Sequence, residues 1–161
     1  MEVRDKGVTL IELLVVLFII GAAFALVGVT FFRSKEDIDL KTFTREVSAS
    51  LRYARIRAVA EKKIYAFVIS KDEKICVLYS ENITGENDDD LWKKISSKKI
   101  PEGIELEDSE DNKKQDILRI DFSPEGGSTG GEIKFKNLKG SVIQIIIEQI
   151  TGRVTIQKAQ S

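Results

Sequence analysis

The sequence predicts an α+β protein: one long N-terminal helix whose second half packs on a domain of antiparallel strands. Three observations carry this. From Val8 to Phe32 the chain is apolar except for one charge, Glu12. From Leu40 to Ala58 apolar residues recur at steps of three and four, the period of one helical face. Beyond Glu61, short β-branched and aromatic stretches alternate with polar and glycine turns, as antiparallel strands do.

Composition narrows the chemistry. Among 161 residues, Lys and Arg number 25 and Asp and Glu 26, for a formal net charge of −1, so no global basic excess points to nucleic acid. The chain has no histidine, which removes a histidine-based triad, zinc site or pH switch. Cys76 is the single cysteine, so no internal disulfide can form. No cofactor and no metal are expected.

The apolar arm comes first. Val8 to Phe32 is about 25 residues, roughly 38 Å as a helix, enough to cross a hydrocarbon core about 30 Å thick with some tilt. A secretory signal peptide would be shorter and followed by a small-x-small cleavage site, and Thr30-Phe31-Phe32-Arg33 is a poor one. Orientation is not given by charge, because Arg4 and Lys6 precede the run while Arg33, Lys35 and Lys41 follow it. Glu12 is the costly residue: a charge near the bilayer centre costs about 2.5–3.5 kcal/mol even on the lenient insertion scale. Such a carboxylate needs a partner. Gly21, Ala22, Ala23, Ala25 and Gly28 form a small-residue patch that permits close helix approach.

The helix then turns amphipathic. Leu40, Phe43, Val47, Leu51, Ala54 and Ala58 make the apolar stripe, while Lys41, Arg45, Arg52 and Glu61 lie off it. One helix from about residue 8 to about residue 62 is expected. Arg52, Arg55 and Arg57, with Tyr53 among them, are read as the solvated face of that helix rather than a nucleic-acid patch.

The strands follow. Ile64–Ile69 and Ile75–Tyr79 form a hairpin around Lys71-Asp72-Glu73-Lys74. Glu81–Asp90 is an acidic loop, and Leu91-Trp92 begins an apolar return toward Ile95. Ile100-Pro101-Glu102-Gly103-Ile104 turns into a short strand, and Asp108–Asp116 is a second charged loop. Ile117–Phe122, Glu132–Phe135, Val142–Ile147 and Arg153–Ile156 complete the set, giving sheets packed on each other and on the helix. The run Glu125-Gly126-Gly127-Ser128-Thr129-Gly130-Gly131 lacks the Lys and helix of a phosphate cradle and reads as a flexible connection. Asp88-Asp89-Asp90 lacks EF-hand spacing and reads as a solvated loop rather than a calcium site. Cys76, in mid-strand, reads as a buried core residue.

Lys6-Gly7-Val8-Thr9-Leu10-Ile11-Glu12 before an apolar helix resembles the prepilin signature of type IV pilins and type II secretion pseudopilins. The resemblance implies cleavage by a membrane prepilin peptidase between Gly7 and Val8, and N-methylation of Val8. It also implies a subunit-assembly role for Glu12, which can pair with the amine freed on a neighbouring subunit. A glycine at the cut lets the backbone enter a crowded site without a side chain. Phe is usual after the cut, and Val8 departs from that; Val29 stands where a proline is common.

Further along, Ile100-Pro101-Glu102-Gly103-Ile104, Ile120-Asp121-Phe122-Ser123-Pro124-Glu125-Gly126, Gly130-Gly131-Glu132-Ile133 and Thr151-Gly152-Arg153-Val154 resemble the GspH/FimT branch of minor pseudopilins and minor pilins. This implies a pilin-like fold with a two-sheet β-rich domain, divided into a leader at 1–7, a transmembrane and assembly helix at 8–32, its amphipathic continuation at 33–62 and the globular domain at 63–161. The implied function is structural, not enzymatic: a minor pseudopilin of the type II secretion pseudopilus, acting in its tip or initiation complex. The alternative is a FimT-like pilus subunit in pilus assembly or DNA uptake. Implied partners are the prepilin peptidase, other pseudopilins or pilins in a helical fibre, inner-membrane lipid and the inner-membrane assembly platform. The globular domain would lie in the periplasm. The single arginine of the tail motif, Arg153, argues against DNA.

Overall fold

The computed structural model describes residues 9–82, 91–107 and 116–158, and the side chains of all of these except 25–35. The chain divides into two units, Met1–Lys35 and Glu36–Ser161, referred to below as the arm and the body.

One helix, α1, runs Leu10–Glu61 over 52 residues. Among the described residues no helix is long and apolar enough to cross a membrane.

In the body, all six residues of the expected apolar stripe are buried, from Leu40 to Ala58. Thr44 and Ser48 are buried beside them, and Thr44 Oγ1 donates to the Leu40 carbonyl at 2.7 Å, which satisfies the hydroxyl within the helix. The helix stops at Lys62, which takes the left-handed φ of 56°, while the Lys63 N–H reaches back to the Ala58 carbonyl at 3.3 Å. This is the six-to-one closure of a helix C-terminus, made here without glycine.

Eight strands follow: β1 Tyr65–Ser70, β2 Ile75–Glu81, β3 Trp92–Lys99, β4 Ile104–Glu107, β5 Ile117–Phe122, β6 Gly131–Asn137, β7 Val142–Ile147 and β8 Val154–Lys158. They form two antiparallel four-stranded sheets, ordered β3-β2-β1-β5 and β4-β6-β7-β8. Alternation sets which residues face the core. Tyr65, Phe67 and Ile69 of β1 and Ile133 and Phe135 of β6 point inward and join the α1 stripe in a single cluster. Phe43 meets Phe135 edge to face at 5.1 Å and 78°. Every buried member of that cluster lies between Leu40 and Val154, so the body encloses its own core.

Two expectations change. The return after Leu91 does not end at Ile95; β3 continues through Ser96-Ser97-Lys98-Lys99 as an exposed strand at the sheet edge. Polar residues suffice there because an edge strand pairs on one side only, and lysines keep further strands from adding. The glycine-rich connection is not a loose loop either. The Ser123 N–H donates to the Gly127 carbonyl at 3.0 Å, Ser128 N–H to Gln149 at 2.8 Å and Thr129 N–H to Asp121 at 2.9 Å. Backbone bonding fixes it against the β5 end and the β7–β8 turn.

Candidate assembly site

The start of α1 is built by Thr9. Its Oγ1 accepts the Glu12 N–H at 3.3 Å, and its carbonyl accepts the Leu13 N–H at 3.2 Å. Thr9 is thus the N-cap, and Thr9-Leu10-Ile11-Glu12 has the spacing of a capping box. That signal was present in the sequence, and the pilin-type reading passed over it. It places the Glu12 carboxylate in the first helical turn, where the positive end of the helix dipole favours an anion. Glu12 therefore has a local reason to be acidic besides any partner on another subunit.

Around Glu12 the arm is apolar on every side. Leu10, Ile11 and all large side chains from Leu13 to Ile20 are between 48% and 84% exposed. Removing such a side chain from water is worth roughly 1.5–3 kcal/mol. A surface of this kind is stable only against lipid or against other apolar helices. Gly21 has nothing within 4 Å of the position a Cβ would take, so it leaves open space for close approach. Gly7 and Val8, and the side chains of Ala25, Gly28 and Val29, lie outside the described residues. So do Asp88, Asp89 and Asp90. Among the described residues no three His, Cys, Asp or Glu side chains gather where they could hold a metal ion.

Arg52 and Arg57 are exposed, as expected of a solvated face, and all three arginines of this stretch also make contacts within the body. Arg52 Nη2 donates to the Val154 carbonyl at 3.2 Å, and Arg55 Nε to the Gly126 carbonyl at 3.4 Å. Arg57 pairs with Glu61 at 2.5 Å and lies over the Tyr53 ring. Two of the three cations thus tie the helix to the turns that carry Ser123-Pro124-Glu125-Gly126 and Thr151-Gly152-Arg153. At this junction Gly152 has φ 60°, and a Cβ on it would sit 2.6 Å from the Gly126 carbonyl oxygen. The two turn motifs, far apart in sequence, meet at one place on α1.

At the other end of the body helix, Asp37 Oδ1 accepts from Asn137 Nδ2 at 2.7 Å and from Ser141 Oγ at 3.1 Å. The hydrogen bond from Asn137, then that from Ser141, hold the Asp37 carboxyl below its ordinary range. Asn137 is buried and also accepts the N–H groups of Lys139 and Ser141, so it organises the β6–β7 turn. In β2, burial pushes the Cys76 thiol up to about 12, as the mid-strand reading expects of a core cysteine.

Residues 3–28 match the prokaryotic N-terminal methylation motif. About three quarters of the chain superposes on solved structures of the same architecture. The minor pseudopilin EpsH from the type II secretion system of Vibrio cholerae matches with a TM-score of 0.58 at 12% identity, over 74% of this chain and 97% of that one. The type IV minor pilin FimU of Pseudomonas aeruginosa matches with a TM-score of 0.54 at 17% identity, over 76% of this chain and 98% of that one. The fold is pilin-like. No curated protein sequence matches it. At these identities the likeness to solved structures establishes the pilin-like fold, and the prepilin-type motif heads the helix that fold requires.

Proposed function

We propose that this pilin-like protein is a minor pseudopilin, a structural subunit of a type II secretion pseudopilus that takes part in its tip or initiation complex. The observation that carries the reading is the joining of a methylation-type N-terminus to a helix whose apolar side chains stand exposed, ahead of a body with its own core. On this reading the prepilin peptidase cuts between Gly7 and Val8 and the new Val8 amine is methylated. Residues 8–32 anchor the chain in the inner membrane with the body in the periplasm, and assembly exchanges lipid for sister helices. Glu12 then pairs with the Val8 amine of a neighbouring subunit. The subunit itself catalyses nothing.

The test is co-expression of the full chain with a prepilin peptidase, followed by intact-mass and N-terminal analysis. A mature chain beginning at methylated Val8 is expected, and Gly7→Ala should abolish the cut. A chain that keeps its first seven residues in the presence of active peptidase would overturn the reading.

A second reading, a minor pilin of a type IV pilus, is favoured by the likeness to FimU. Tracking which fibre takes up the tagged chain separates the two. DNA binding has less to work with, because Arg52, Arg55 and Arg57 are already engaged within the body.

A further inference from the structure

Where the chain enters the body at Glu36, α1 and the β6–β7 hairpin border a groove of about 780 Å³. Ile38, Val142 and Ile143 give it an apolar lining, and Lys41, Lys136 and Lys158 bring ammonium groups from three different elements. None of these three lysines has a carboxylate within ion-pair distance among the described residues. Two carboxylates, Asp37 and Glu107, line the groove against four lysines, Lys41, Lys134, Lys136 and Lys158. Glu36 pairs with Lys139 at 3.4 Å. The groove is left with a cationic excess.

Two large apolar side chains stand at the same place. Ile38 on α1 is 60% exposed, and Leu138, in the turn that Asn137 and Ser141 tie to Asp37, is 73% exposed. Apolar tips beside an excess of lysines are what a membrane interface accepts, the tips entering the acyl boundary and the ammonium groups meeting phosphates. Connectivity selects this anion over others. Asp37 follows the end of the apolar run at Phe32 by five residues, which span at most about 18 Å of chain.

We propose that this groove binds the phosphate headgroups of anionic phospholipids and holds the body against the membrane surface. The proposal rests on the reading of residues 8–32 as a membrane anchor. Each lysine near an anionic surface should contribute about fivefold in apparent affinity, and added salt should weaken the contact.

The test uses the full chain in nanodiscs of zwitterionic lipid alone or with about one third phosphatidylglycerol, with lysine acetylation rates read by mass spectrometry. Acetylation at Lys41, Lys136 and Lys158 should slow at least threefold in the anionic discs, while Lys93 and Lys99 on β3 react equally in both. Equal rates at the groove, or equal slowing of the β3 lysines, would overturn the proposal. So would protection by inorganic phosphate alone on zwitterionic discs, which would assign the site to a free anion. Replacing Lys41, Lys136 and Lys158 together with Glu should remove the lipid dependence of hydrogen exchange in the β6–β7 turn; its persistence would also count against the groove. Failure of the anchor reading looks different: the chain would then migrate apart from discs of either composition.

Discussion

Substituting Gly152 by alanine tests how α1 is locked to the β-sheets. Gly152 has φ 60°, and its added Cβ would lie 2.6 Å from the Gly126 carbonyl oxygen, 3.0 Å from Arg55 Cδ and 3.1 Å from Arg55 Nε. The left-handed conformation alone costs an L-residue roughly 1–2 kcal/mol. The overlap with a backbone oxygen cannot be relieved by a rotamer change, and overpacking of this kind costs about 1–3 kcal/mol more. The sum is about 2–5 kcal/mol, and a body of about 125 residues loses close to 4 °C of Tm per kcal/mol. Gly152→Ala should therefore lower Tm by roughly 8–20 °C.

Gly103→Ala is the internal control. Gly103 also has a left-handed φ, 83°, yet its nearest neighbour is the tip of the exposed Leu138 side chain at 3.4 Å. Only the conformational cost applies, a fall of about 4–8 °C. Thermal unfolding of the full chain in detergent can be followed by the fluorescence of Trp92, the single tryptophan, whose ring packs under Arg119 at 4.5 Å. Equal losses for the two variants would refute the argument from close approach. So would a Gly152→Ala penalty that vanishes in an Arg55→Ala background, since the strain is assigned to the Gly126 backbone.

Asp37→Ala should lower stability by about 1–3 kcal/mol near neutral pH, because it strips the buried Asn137 amide of its acceptor. The Asp37 pKa is depressed in the folded state, so its contribution is complete above the unfolded value near 4 and is lost as pH falls through the folded value. The Tm gap between wild type and variant should narrow on acidification below pH 4, and a constant gap would exclude the carboxylate. Cys76, buried and with its thiol pushed up to about 12, should resist alkylation at pH 8 until the body unfolds; rapid native labelling would contradict its burial. Glu12→Ala should leave cleavage after Gly7 intact while reducing incorporation into fibres, and normal assembly would remove the pairing role.

The parts of this fold legible in the sequence are those written in a period. The stripe from Leu40 to Ala58 could be read residue by residue because a helix buries a face every three to four positions. The apolar strands followed for the same reason with period two. Ser96-Ser97-Lys98-Lys99 carries no such signal, since an edge strand over a rim need not bury either face; there Lys98 instead pairs with Glu46 of α1. The added bonds of Arg52 and Arg55 were not legible because their acceptors lie 102 and 71 residues away, and no local pattern announces a carbonyl. The tightness of the glycine-rich connection was hidden likewise, its partners being in the β7–β8 turn. Of the candidate site, Glu12 stood out as the lone charge, whereas its cap Thr9 had a readable spacing that a stronger resemblance obscured.

On the proposed reading one helix serves two different solvents, and Glu12 decides the passage between them. The core of the body begins at Leu40 among the described residues. The arm's exposed Leu, Ile, Val and Phe side chains gain little from leaving lipid for sister helices, since acyl chains are as apolar as leucine. Such a transfer is close to neutral for almost every residue of the run. Glu12 is the exception: a lone carboxylate in lipid is costly, the first helical turn offsets that cost in part, and on the proposed reading the amine freed when Gly7 is cut away supplies the rest. Cleavage at residue 7 would then create the partner that makes assembly favourable for the carboxylate at residue 12. On the proposed reading, the direction from membrane to fibre is set by one charge and one new amine rather than by the many apolar contacts around them.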